Sequence, residues 1–320
     1  MTSNKFSGRR RSHGTPKICK KPLPPQPPYP PPYHYVGGSP ESDPHWSAIT
    51  AARLPALPEP PYDEITVRNL IYHCYPHSRN DSWFSNLDQL RLRADVFNGQ
   101  RLVAIATGPH LHCPDVVRNF LGNTFQYFTF PNDARLRQSA SFLTLLHRVR
   151  SVESNEATFY AHTKGSSETH PADANKKLAI QLWRNRMYTE LLDSPDVLAA
   201  NLRDYPCVGT FKVDYSHTDQ PQMLSPTGLF WGDWHYAGSF FWFRHDCIFR
   251  NPTWTFVGDD MYATECWLSG LLRADQAPTI YQPWNPVSLP PPDLYDSKTH
   301  SVAFFRNQYA NWTRTRSYPE

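Results

Sequence analysis

The sequence predicts an α/β protein: a mostly parallel sheet flanked by helices, preceded by a disordered proline-rich N-terminal arm. Three observations predict it. Between residues 65 and 161, short β-branched and aromatic runs alternate with stretches of helical periodicity, the order that a parallel sheet requires. The connections are short, and the apolar runs end in glycine or polar residues, as buried parallel strands do. Residues 1–62 differ from the rest, with a basic start, "NKFSGRRRSHGTPKICKK", followed by "PLPPQPPYPPPYHY". Proline fixes φ and removes amide donors, so this arm forms neither packed helix nor sheet. The chain therefore divides into an arm, 1–62, and an α/β domain, 63–320.

Taken in order, "ITVRNLIYHCY" (65–75) reads as the first strand. Ser82 caps a helix through Trp83, Phe84, Leu87 and Leu90. "RLVAIATG" (101–108) is the second strand, and "PDVVRNFLG" (114–122) is a helix with proline at its start and glycine after its end. "TFQYFTFPND" (124–133) is the third strand. A helix over 135–151 follows, with Leu136, Phe142, Leu145, Leu146 and Val149 on its apolar side. The fourth strand, Ala157–Ala161, runs into His162, Thr163, Lys164 and Gly165. A long helix at about 174–193 and a second opened by Pro195 come next. The remaining expectations are strands at 207–212 and 236–244 and a helix over 259–272.

Composition excludes several classes. The net charge is only +3, so the molecule as a whole is not an obvious polyanion binder. Six scattered cysteines form no CxxC pair, which suits reduced thiols and a cytoplasmic protein. No run of about 18 apolar residues exists, so no transmembrane segment is expected. The sequence has no GxGxxG after the first strand, no GxxxxGK[ST], no HExxH and no GxSxG. In the arm, Lys21–Pro27 fits an SH3 ligand and Pro30-Pro31-Pro32-Tyr33 a WW ligand, matches that any proline-rich tail produces.

In open parallel sheets, ligands sit beyond the carboxyl ends of the strands. Three strands here end in polar groups: the first in His73, Tyr75 and His77, the second at Thr107-Gly108, and the fourth in His162, Thr163, Lys164 and Gly165. Lys164 would neutralise a diphosphate and Gly165 would let the backbone approach it, unless Lys164 merely marks a solvated loop. A second cluster, "WGDWHYAGSFFWFR" (231–244), places Asp233, Trp234 and His235 in what reads as a loop before a strand. Indoles with a nearby acid suit sugar rings, although Phe240, Phe241 and Trp242 are more simply core. A third, "GDDMYATECWL" (258–268), offers Asp260 and Glu265. Glu265, beside Cys266 and Trp267, would serve as a general base, and Asp259 or Asp260 would serve as a helix cap.

Taken together, "FYAHTKG", "LWRNRMYTELLDSPD", "YPCVGTFK", "WHYAGSFFWFR" and "MYATECWLSGLL" resemble an uncharacterised bacterial group related to glycosyltransferases of the GT-A fold. They are also distantly similar to the rhamnan synthesis protein F family. The resemblance spans about residues 65–275 and implies a Rossmann-type sheet binding a nucleoside-diphosphate sugar, with an acceptor site built from the C-terminal half. In most GT-A enzymes a DxD motif near the end of the fourth strand holds Mn²⁺ or Mg²⁺. Here His162-Thr163-Lys164 takes that place, so metal dependence stays open and Lys164 is a cationic substitute. By the same resemblance Asp260 or Glu265 is the acceptor-activating base. His162, Thr163, Lys164, Gly165 and Thr107 line the donor site, and Asp233, Trp234 and His235 the acceptor site. His300 is a further candidate to contact phosphate or metal.

The function so implied is transfer of a sugar from a nucleotide donor to a glycan or other hydroxyl acceptor, in polysaccharide synthesis. The alternative is a non-catalytic carbohydrate-binding or scaffold protein on a transferase-like fold.

Overall fold

The computed structural model describes residues 57–167, 173–215, 234–258, 260–284 and 293–300. Most of the expected arm, together with Asp233 and Asp259, lies outside the described residues. Nine strands are present among them: β1 (Val67–Cys74), β2 (Arg101–Thr107), β3 (Gln126–Pro131), β4 (Glu156–His162), β5 (Cys207–Thr210), β6 (Lys212–Asp214), β7 (Trp234–Tyr236), β8 (Phe241–Arg244) and β9 (Thr279–Tyr281). The helices are α1 (Ser82–Arg91), α2 (Pro114–Leu121), α3 (Ser139–Val149), α4 (Ala174–Leu192), α5 (Pro195–Asp204) and the single turns α6 (His245–Ile248) and α7 (Ala263–Cys266).

Seven strands form one sheet in the order β3-β2-β1-β4-β8-β5-β9. All pairings are parallel except those of β8, which runs antiparallel to both β4 and β5. Strands β6 and β7 pair separately. The sheet is covered on both faces, which is why its central strands are apolar throughout rather than alternating. Leu70, Tyr72, Phe159 and Ala161 pack with α1, α2, α4 and α5, whereas Ile71, Leu102 and Tyr160 pack with α3 and the segment around α7. The expected α/β class and mostly parallel sheet are thus observed.

Several boundaries differ from expectation, each for a physical reason. The expected strand 207–212 breaks at Phe211, which adopts φ 55 and is buried against Tyr281 and Trp284. The expected strand 236–244 is two strands, because Gly238 and Ser239 both take positive φ and turn the chain. Trp234 and His235, expected in a loop, form β7. The expected helix 259–272 shrinks to α7 and a 3₁₀ turn at Leu268–Gly270. The helix expected from residue 135 starts at Ser139, since Arg137 sits at φ 49. Residues 57–62, placed at the end of the arm, lie against the domain. Tyr62 N–H donates to the Arg203 carbonyl at 2.7 Å, and the Arg244 guanidinium lies 4.7 Å from the centre of its ring.

Candidate functional site

The sheet order sets the ends of β1 and β4 side by side. From β1 the chain builds outward through β2 to β3, then returns to place β4 on the other side of β1. The connections leaving β1 and β4 run toward opposite edges of the sheet, though α1 and α4 pack on the same face, and ligands of open α/β sheets lie at the carboxyl ends of such strands. The last residues of the two strands, His73 and His162, are register partners there.

Each imidazole is fixed by a partner. The Ser141 hydroxyl donates to the Gln138 carbonyl and so accepts from His73 Nδ1–H at 2.8 Å, leaving Nε2 unprotonated in the neutral ring. His162 Nε2–H donates to the Gly238 carbonyl at 3.1 Å, leaving Nδ1 unprotonated. Burial holds both rings neutral, His73 down to about 4 and His162 down to about 3. The positive charge of Lys164 adds to the effect of burial on His162. Both rings at the ends of β1 and β4 are thus held without charge.

The rest of the β4 end is stitched to its neighbours. Thr163 is buried; its Oγ1 accepts from Tyr75 N–H at 2.8 Å, and its amide donates to the His73 carbonyl. Lys164 Nζ lies 3.9 Å from the centre of the Trp183 ring on α4, a cation–π contact. Its carbonyl accepts from Asn86 Nδ2, and the Gly165 carbonyl accepts from Asn80 Nδ2, so the β4 loop is tied to the start of α1. Gly165 has φ +83, and a Cβ there would come within 2.5 Å of Ile180. Close helix packing therefore already requires this glycine.

Glu265 enters from α7. Its Oε1 accepts the Gly238 amide at 2.8 Å, while the Gly238 carbonyl accepts from His162. One residue of the 238–239 turn thereby joins Glu265 to the end of β4. His235 lies close enough for the Glu265 charge to oppose the effect of burial, which lowers its pKa on balance. Asp260 is buried and precedes α7: its Oδ1 accepts from Tyr262 N–H at 2.7 Å and its carbonyl from Ala263 N–H. That is the arrangement of a turn-forming cap.

Of the residues expected to share a site, the structure gathers His162, Thr163, Lys164, Gly165, His235 and Glu265. Thr107 and Trp234 are held elsewhere. Thr107 ends β2, with all of β1 between it and β4, and its hydroxyl donates to the Phe130 carbonyl. Trp234 is 1 % exposed and its Nε1–H donates to the Leu272 carbonyl, so its indole is packed within the protein. His300 stacks on the face of Trp183 and its Nε2 lies 2.8 Å from the Leu294 carbonyl. Asp233 lies outside the described residues.

The position expected for a metal-binding DxD holds an imidazole, a hydroxyl and an ammonium. Among the described residues no group of three or more His, Cys, Asp or Glu is arranged to hold a metal ion. This position therefore lacks the paired carboxylates of a DxD.

One contributor was missed in the sequence, Ser141, which holds the His73 ring. It follows the third strand, whose carboxyl-end loop leads back over β1 through α3. Applying the carboxyl-end rule to that strand as well points to "DARLRQSAS".

No family model matches the chain, and no curated protein matches it. Among solved structures, one similar chain is a protein from Desulfovibrio desulfuricans G20 described as a nucleotide-diphospho-sugar transferase. It shares 10% identity at a TM-score of 0.30, over 75% of this chain and 97% of that one. A TM-score of that size is too low to define a shared fold. Among the described residues no helix is long and apolar enough to cross a membrane.

Proposed function

We propose that the chain binds a nucleoside-diphosphate sugar in the crevice between β1 and β4 and transfers the sugar to a hydroxyl acceptor. The observation that carries this reading is the convergence of the carboxyl ends of β1 and β4 with Glu265, through Gly238. Glu265 removes the proton of the acceptor hydroxyl as its oxygen attacks the anomeric carbon. The bond from that carbon to the diphosphate breaks, and the departing nucleoside diphosphate keeps the electron pair. Lys164 stabilises the negative charge, and His162 Nδ1 accepts a hydrogen bond from a ligand hydroxyl. His235 shapes the acceptor side and Trp234 supports it from behind. Asp260 remains the second candidate base, although its Oδ1 is engaged in the turn before α7. Polysaccharide synthesis in the cytoplasm is the setting that fits this chemistry.

One observation favours a second reading, a non-catalytic carbohydrate-binding protein on the same fold. Both candidate carboxylates already accept backbone amides, Glu265 from Gly238 and Asp260 from Tyr262. A thermal-shift screen of nucleotide sugars, with and without Mn²⁺, tests the donor site, because a ligand of the native state raises the melting temperature. Turnover of the sugar that binds separates the transferase from the binding protein. A screen in which no nucleotide sugar shifts the transition overturns both the donor site and the transferase reading.

A further inference from the structure

The chemistry of the crevice raises a question of charge. A diphosphate needs cations, yet both imidazoles at the ends of β1 and β4 are neutral. Lys164 supplies one cation from the α4 side, leaning on Trp183. Opposite it, the loop from β3 enters α3, whose Ser141 holds the His73 ring. Arg137 stands in that loop. Its side chain is exposed, and among the described residues no carboxylate pairs with it. It lies close enough to Tyr75 and His162 that its charge lowers the pKa of both, each set mainly by burial. Lys164 and Arg137 both act on His162, and both are positive.

We propose that Arg137 is the second cation of the crevice, so that a phosphate group of the ligand is bracketed between Arg137 on the α3 face and Lys164 on the α4 face. This rests on the reading of the crevice as a donor site and adds to it a second cation. The two cations differ in kind. Lys164 is a point charge held against an aromatic face, whereas a guanidinium offers a planar fork that matches two phosphate oxygens at once. Arg137 also keeps a left-handed backbone, φ 49, where a side-chain-bearing residue is disfavoured and glycine is at ease. Stability alone would favour glycine at this position.

Titration calorimetry with inorganic pyrophosphate, UDP, GDP, ADP and dTDP tests the proposal on the wild-type chain and on Arg137→Gln, Arg137→Lys and Arg137→Gly. The wild type is expected to bind pyrophosphate and at least one nucleoside diphosphate. Arg137→Gln should weaken that binding by about tenfold or more, the loss expected for a charge-assisted hydrogen bond. Arg137→Lys should recover only part of it. Arg137→Gly should lose affinity like the Gln variant while melting at the same temperature as wild type or higher, which separates a ligand contact from a structural one. If the Gln and Gly variants bind as tightly as wild type, the assignment of Arg137 is overturned and the donor site stands. If the wild type binds none of the five probes, the donor site itself is wrong, and the bracket falls with it.

Discussion

Glu265 is bound to Gly238 through a single carboxylate oxygen, and that detail separates its two conceivable roles. Glutamine keeps an oxygen that can accept the Gly238 amide but has no basicity. Glu265→Gln should therefore preserve the turn and donor binding while lowering kcat by roughly two to four orders of magnitude. Asp260→Asn should instead cost about 1 kcal/mol of stability and spare turnover, as weakening of a cap does. Full turnover in both variants would remove the chemistry from this segment. The two crevice histidines make a different prediction. Their folded pKa values, about 4 for His73 and about 3 for His162, lie below the ordinary 6.5. Between those limits the unfolded chain binds protons that the folded one does not, so stability falls as pH drops from about 6.5 toward 4. Each histidine contributes up to about 1.4 kcal/mol per pH unit in that window. Urea midpoints across the range should show the slope, and His73→Gln should reduce it. An unchanged slope would mean that His73 is not held neutral by the fold.

The turn between β7 and β8 is the element on which the site depends. Gly238 has φ +98, and a Cβ there would lie 2.9 Å from Met187 Sδ and 3.2 Å from the Trp183 ring. Gly238→Ala should cost roughly 1–3 kcal/mol, from backbone strain and overpacking together. It should also disturb ligand binding, because Gly238 joins Glu265 to His162; chemical denaturation and calorimetry on one preparation would measure both. Loss of stability with unaltered binding would show that the turn does not organise the crevice. Why such an element was hard to foresee is a matter of range. Strands β1, β2 and β4 and helices α1, α2 and α4 were legible because their patterns are local: apolar runs, 3.6-residue spacing, proline near a start. The left-handed Phe211 and Ser239 carry no local mark, since distant packing holds them there. The site divides in the same way. "HTKG" marked the end of β4, but its partner Gly238 lies 76 residues on, and Glu265 a further 27. Ser141 was passed over because its contact with His73 depends on the return of α3 over β1.

At the level of the whole molecule, the domain begins before its first strand. Tyr62 is pinned by the Arg203 carbonyl and by Arg244, and the same guanidinium also donates to the carbonyls of Asp63, Leu202 and Ser154. Arg244 thereby joins the lead-in to β1, the end of α5 and the loop before β4 at one buried point. Removing residues 1–56 should leave the melting temperature unchanged, whereas removing 1–62 should lower it by roughly 2–6 °C. Calorimetry of the two truncations checks this. Equal melting temperatures would place the domain boundary after Tyr62.

The reversed strand β8 has a consequence for the growing chain. Strand β4 finds its second neighbour only when β8 arrives, roughly 80 residues later. At about 5–20 residues per second, the ribosome needs roughly 4–16 s to supply it. During that interval β4 is a bare sheet edge, lined with unpaired amides and carbonyls, able to recruit a strand from a neighbouring nascent chain. Slow codons between β4 and β8 would lengthen this exposure, and a chaperone that shields strand edges would have its greatest effect on synthesis of this stretch.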